Sequence, residues 1–322
     1  MIIKNMTTAQ IYDLAIQLGI DHDLRGRSRV EKNLSRRRKQ FNELSSKDRA
    51  DFDQSRLSNP YSDTLVLADH GKGEIRKILV GIDMEGPELL LAKQLGDIDL
   101  VIAHHPEGAA LADLSDVMSL QAEVLADYGV PINIAESVIK PRISEVHRGL
   151  APINHDRSVD FARILGLDFM CVHTPADNMS ASYIIGLLAE HQADLETVGD
   201  VMEVLKTVPE YQAAAKRGVG PMIFSGSADN YAGKIVVTEF TGGTNGSKDI
   251  YEKMSQYGIG TIIGMHMSEE HRKEAEKYHI NVIIAGHMAS DSLGMNLFLD
   301  ELVKRGLEVV PLSGLIRIDR TK

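Results

Sequence analysis

One cysteine, Cys171, is present in 322 residues. A single thiol rules out an intrachain disulfide framework and fits a reducing compartment. No apolar stretch approaches the roughly 20 residues a membrane-crossing helix needs. The opening segment, Met1-Ile2-Ile3-Lys4-Asn5-Met6, lacks the apolar core of a secretory signal. These absences predict a soluble, cytoplasmic protein with no membrane partner. Positive charge is also in deficit. The net charge is −11, which makes nucleic acid a poor partner. Several familiar devices are missing too. The loop Gly242-Gly-Thr-Asn-Gly246 follows an apolar run, but Ser247-Lys248-Asp249 does not supply the phosphate-loop order. It also fails the GxGxxG spacing, so a tight turn is the favoured reading. Ser290 and Ser292 lie near histidines, yet no Gly-x-Ser-x-Gly elbow surrounds them.

Hydrophobic residues make up 43% of the chain, ample for a core, and the length suggests two domains. Residues 7–58 read as helical, with Thr7-Thr8 as a cap and Ile11, Leu14, Ala15 and Leu18 on the 3.6-residue period. From Thr64 onward, apolar runs alternate with amphipathic stretches of 10–15 residues, the pattern of βαβ units. Strands are expected at 75–82, 97–105, 130–135, 167–173, 234–240, 259–264, 280–286, 309–310 and 315–318. Helices are expected at 86–95, 115–128, 156–166, 178–191, 248–257, 268–278 and 290–305. The predicted fold is α/β, with two similar α/β lobes, mixed and mostly parallel sheets, and a helical N-terminal extension. We place the basic extension at 1–60, the first lobe at 61–205 and the second at 206–322, with the last strands able to return to the first lobe.

Residues 24–39 hold eight Lys/Arg against one Glu, which leaves −18 for the remainder. The favoured reading is a solvated helix, or one paired with an acidic surface of a neighbouring subunit. A nucleic-acid arm would be expected to carry interleaved aromatics, and none is there.

Three polar clusters each follow an apolar run. They are His104-His105-Pro106, His173-Thr-Pro-Ala-Asp177 and His287-Met-Ala-Ser-Asp291. Open α/β sheets bind ligands at the carboxyl ends of their strands. His and Asp at i and i+4 share one face where the chain enters a helix. Four imidazoles and two carboxylates suffice for two divalent ions, and the N/O mixture suits Zn, Fe, Mn or Co rather than calcium. Taken singly, Asp177 and Asp291 read more readily as helix caps than as ligands. Cys171 reads as a small core residue.

From about Glu74 to Ile318 the chain resembles the NGG-one-interacting-factor-three-like proteins, some of which are labelled "GTP cyclohydrolase I type 2 homologue". The resemblance is carried by Asp99-Leu-Val-Ile-Ala-His-His-Pro106, by His173 with Asp177, by the Gly242–Gly246 loop, by Glu269-Glu-His271 and by Ala285-Gly-His-Met-Ala-Ser-Asp291. It implies a dinuclear metal site between two lobes, with ligands at His104, His105, Asp177, His287 and Asp291. It puts His173 alongside, as an extra ligand or a proton-transfer group. It also implies ring-shaped hexamers. Four departures stand out. Asp291 replaces the family's usual glutamate, residues 134–158 look inserted, the basic arm looks added, and Met265-His266 replaces an acidic position. Two functions follow as expectations. One is a metal-dependent hydrolase acting on a small phosphorylated or heterocyclic substrate, with His173, His266 or His271 moving the proton. The other is a non-catalytic metal-binding regulator or scaffold.

Overall fold

The computed structural model describes residues 6–322, so the first five residues of the predicted extension lie outside the described residues. Among the described residues nine strands form two sheets: β1 Val66–Ala68, β2 Lys77–Gly81, β3 Leu100–Ala103, β4 Asp168–Cys171, β5 Met222–Ser225, β6 Lys234–Val237, β7 Ile259–Gly264, β8 Asn281–Ile284 and β9 Glu308–Pro311. The first sheet has the order β1-β4-β3-β2-β9 and the second β5-β8-β7-β6. In each, the first strand runs antiparallel at the edge and the others run parallel. Without β9, the two sheets are permuted identically, so the lobes share one plan. Strands β3, β4 and β8 are buried along their whole length. Both faces are covered, which is why these segments read as continuous apolar runs.

Two long helices, Thr174–Glu190 and His287–Val303, lie side by side between the sheets. Ala176, Met179, Met295 and Phe298 pack into the core of the first sheet. Ala181, Ile184, Ala289 and Leu293 pack into that of the second. The helices cross closely at Gly294, where a Cβ would stand 2.1 Å from the carbonyl oxygen of Ala176. The helix Thr8–Asp21 is capped by Thr7 and Gln10, as the sequence predicts, and packs on the Thr174–Glu190 helix.

Two expected strands are corrected and two unexpected ones are added. Residues 130–135 are not a strand; a helix runs from Ile132 to Leu150, with Ala135 and Ile139 buried on one face. Residues 315–318 form no strand; Ile316 instead makes backbone hydrogen bonds to Ser292 Oγ and Asn296 Nδ2. The two antiparallel edge strands, β1 and β5, were not expected. The basic segment is, as expected, a largely solvent-exposed helix, with only Val30 and Leu34 buried. It forms the helix Arg27–Glu43, where Arg29 makes a two-pronged contact with Asp127 at 2.8 and 2.9 Å and Asn33 donates to Glu123 at 3.0 Å.

Candidate metal centre

The centre is built where β3, β4 and β8 end. His104 and His105 follow Ala103 directly, and Pro106 ends the run. His173 is the N-cap residue of the Thr174–Glu190 helix, and Pro175 sits in its first turn, where its missing N–H costs nothing. Asp177 therefore lies one turn inside the helix. His287 opens the second long helix after Gly286, whose φ of +110° suits glycine. Asp291 lies one turn inside that helix. Neither aspartate is a cap, so that reading falls.

All the clusters meet. His104 Nε2 is 3.4 Å from Asp177 Oδ1 and 3.6 Å from Asp291 Oδ1. The Nε2 atoms of His105 and His287 are each 3.5 Å from Asp291 Oδ2. His173 Nε2 is 3.7 Å from Asp177 Oδ2. Two potential ion-holding groups result, His104–His105–Asp291 and His104–His173–Asp177. These spacings are too long for hydrogen bonds. They match the edge of a tetrahedron, since ligands about 2.0–2.1 Å from a tetrahedral cation stand roughly 3.3–3.4 Å apart. Of the five buried side-chain atoms without a hydrogen-bond partner among the described residues, four lie at this centre, namely His104 Nε2, Asp177 Oδ1 and both oxygens of Asp291. Burying an ionised carboxylate with nothing to offset it costs several kcal/mol, roughly. The donor set fits a divalent cation.

The imidazoles are oriented from behind. His104 Nδ1 faces the Val172 carbonyl at 3.0 Å, His105 Nδ1 faces Asp83 Oδ1 at 2.6 Å and His173 Nδ1 faces Asp63 Oδ2 at 2.8 Å. Each partner is an acceptor, so Nδ1 carries a proton and Nε2 is the nitrogen aimed inward. Asp63 is itself held by the Thr174 hydroxyl, which donates at 2.6 Å.

Burial pushes the Asp177 carboxyl well above the ordinary carboxylate range. Burial acts the same way on Asp291, but the rings of His104, His105 and His287 outweigh it and hold that carboxyl far below the range. Burial works against a charged His105, yet Asp291 and Asp83 outweigh it and push the ring up to about 10. His104 and His287 are lowered by burial. His266 is lowered to about 4 by burial and by the neighbouring His287.

Of the other histidines singled out from the sequence, His266 joins the cavity wall with Glu239, Thr241, Thr244 and Met265. His271 does not: its ring is tied to Ser268 Oγ at 2.7 Å and to the Gly246 carbonyl at 3.1 Å. The Gly242–Gly246 loop is a turn packed on the Ser119–Asp127 helix, where Gln121 donates to the carbonyls of Gly242 and Thr244. Cys171 is wholly buried and its thiol is pushed up to about 12 by burial, as suits a core residue. The sequence reading missed Asp63 and Asp83. Asp83 had a signal, being two residues past the end of β2. Asp63 had none, because 110 residues separate it from His173.

A two-lobed α/β protein with a buried His/Asp centre between paired helices is the class defined here. A crystal structure of a NIF3 superfamily protein from Sphaerobacter thermophilus matches with a TM-score of 0.78 and 28% identity, covering 97% of this chain and 99% of that one. The chain has the fold of the NIF3 superfamily and resembles it along nearly its whole length. Fainter matches include reduced HcgD from Methanocaldococcus jannaschii (14% identity, TM-score 0.47, 77% and 88% of the two chains) and a Bacillus cereus protein related to NIF3 (13%, 0.38, 73% and 86%); neither bears on the site. No family model matches the sequence, and no curated protein does. No helix among the described residues is long and apolar enough to cross a membrane.

Proposed function

We propose that this chain is a dinuclear, divalent-metal-dependent hydrolase acting on a small phosphorylated or heterocyclic substrate. The carrying observation is the set of four buried, unpartnered atoms on His104, Asp177 and Asp291, which face one another. In this reading His104, His173 and Asp177 hold one ion, and His105, His287 and Asp291 hold the other. Assigning His173 as a ligand follows from its fixed Nδ1 and its Nε2 beside Asp177. When bound, a pair of divalent cations supplies Lewis acidity and lowers the pKa of a coordinated water from about 15.7 towards about 7. The chain's own contribution is orientation and exclusion. Asp63 and Asp83 fix two imidazoles, while Phe240, Met265 and the paired helices keep bulk water from the carboxylates. Access is from the second-lobe side, where the His287 side chain is 40% exposed. A homo-oligomer, hexameric by family resemblance, and a cytoplasmic setting belong to the same reading.

One observation favours the alternative, a metal-binding regulator or scaffold. The free volume beside the centre is about 20 Å³, room for one water but not for a substrate. One experiment addresses both. Untagged protein purified without chelator is analysed for metals and screened against phosphoesters, amides and nucleotides, beside His105→Ala. Two ions per chain, lost together with turnover in the variant, supports the hydrolase. Metal without turnover supports the scaffold. Full metal occupancy in His105→Ala refutes the ligand assignment.

A further inference from the structure

We propose that His266 is an additional ligand of the centre, completing the shell around the outer ion with His105, His287 and Asp291. The inference rests on the metal-centre reading above.

Internal symmetry carries it. Strands β2-β3-β4 and β6-β7-β8 have the same order and direction. At the carboxyl end of the first set, Ala103 pairs with Cys171; in the second, Gly264 pairs with Ile284. His105 lies two residues beyond Ala103, and His266 lies two residues beyond Gly264. On the neighbouring strand of each set comes a histidine with an aspartate four residues later, His173 with Asp177 and His287 with Asp291. His266 is thus the second lobe's counterpart of His105. His104 alone lacks a matching histidine, since Met265 stands in its place.

The spacing agrees. Two imidazoles bound at about 2.0–2.1 Å to one cation, at roughly 90–110° from each other, have centroids roughly 4.5–5.2 Å apart. The rings of His266 and His287 are 4.5 Å apart, inclined at 63°. The pairs His104–His173, His104–His105 and His105–His287 lie at 5.0, 5.3 and 5.3 Å. The His266 ring lines the cavity with His287 and Asp291. Among the described residues neither of its nitrogens has a hydrogen-bond partner, in contrast to His271, whose two are both occupied.

Its surroundings repeat the first lobe as well. Asp83, just past β2, holds His105. Glu239, just past β6, lines the cavity beside His266 and is kept in place at a φ of +56°. Asn245 Nδ2 ties the two together, donating to Glu239 Oε2 at 3.0 Å and to the His266 carbonyl at 3.4 Å. A left-handed non-glycine residue beside a cavity is the kind of strain that sites retain.

The test is Co²⁺ titration of chelator-stripped protein, followed by calorimetry and by the visible absorption of the bound ion. Wild type is compared with His266→Ala and His266→Asp. In His266→Ala the first equivalent should bind as in wild type, the second at least about tenfold more weakly and with an altered visible band. His266→Asp, which restores a donor atom, should recover part of that loss with a third spectrum. Unchanged second-equivalent affinity and an unchanged band in a normally melting His266→Ala would overturn the proposal and leave the metal-centre reading standing. Wild type that takes up no Co²⁺ would overturn both. Should His266→Ala lose its melting transition, His266→Gln is read by the same two criteria.

Discussion

Gly294→Ala tests whether the two long helices set the geometry of the centre. The added Cβ would meet the Ala176 carbonyl oxygen at 2.1 Å, its carbon at 2.7 Å and Ser180 Cβ at 3.3 Å. The first two are backbone atoms, so no rotamer change relieves the contact. Reaching a tolerable C···O separation of roughly 3.3 Å requires the helices to part by on the order of 1 Å. Ala176 is the neighbour of Asp177, and Gly294 lies three residues after Asp291, so the displacement is delivered at both carboxylates. A metal site tolerates about ±0.2 Å in its ligand distances. Overpacking costs about 1–3 kcal/mol, and replacing a helical glycine by alanine returns about 1 kcal/mol. The net expectation is a loss of up to about 2 kcal/mol and a melting temperature lower by up to roughly 3 °C.

The control is Gly186→Ala, in the Thr174–Glu190 helix, where an added Cβ meets nothing within 4 Å. The same chemical change there should raise stability by about 0.5–1 kcal/mol and leave metal uptake alone. Thermal melts of the stripped proteins read the stability effect, and titration with Zn²⁺ or Co²⁺ reads the site. For Gly294→Ala the affinity should fall at least about tenfold. If Gly294→Ala melts at or above wild type and binds cations equally well, the helix pair does not set the carboxylate spacing.

Asp63→Asn should keep the fold but loosen the His173 ring, lowering cation affinity by about 10–100-fold; competition against a chromophoric chelator measures this, and equal affinity would remove Asp63 from the site. In the cation-free protein His105 is pushed up to about 10, so at neutral pH it binds a proton that an incoming cation must expel. Apparent affinity should therefore rise with pH, by about tenfold per unit for that one proton between pH 7 and 9, and calorimetry in buffers of different ionisation heat should register its release; a flat profile would contradict the protonation state. The basic segment pairs Arg25 with Asp23 just before the helix and Arg29 with Asp127 within it. Labelled RNA should show no binding at physiological salt, whereas a steeply salt-dependent isotherm abolished by Arg36→Ala with Arg38→Ala would revive the nucleic-acid reading.

How much of this was legible in the sequence follows from the range of each interaction. The ligands were visible because a strand end is a local event. An apolar run, a histidine and a following proline or helix entry all lie within ten residues. What local pattern could not separate was a ligand from a cap at Asp177, since that depends on where the helix begins. Pro175 held the answer, because a first-turn proline places Asp177 inside the helix. The false strand at 130–135 came from the alternation in Val130-Pro-Ile-Asn-Ile. The longer spacing Ala135–Ile139 had the helical period, but Pro141 inside the helix disguised it. Strands β1 and β5 are three and four residues long and only partly buried, and the apolar runs Leu65–Ala68 and Met222–Phe224 are too short for their period to mark them as strands. Asp63 was invisible for the opposite reason, being set by a contact across 110 residues. His266 falls between these cases. It was singled out, but no motif surrounds it, and Met265 breaks the likeness to Ala103-His104-His105. Its equivalence to His105 is expressed only in the paired rows of the two sheets, where hydrogen-bond register rather than residue identity fixes position. The two lobes place His105 and His266 each two residues past corresponding strands, because the end of a parallel strand is where backbone pairing stops and side chains can converge.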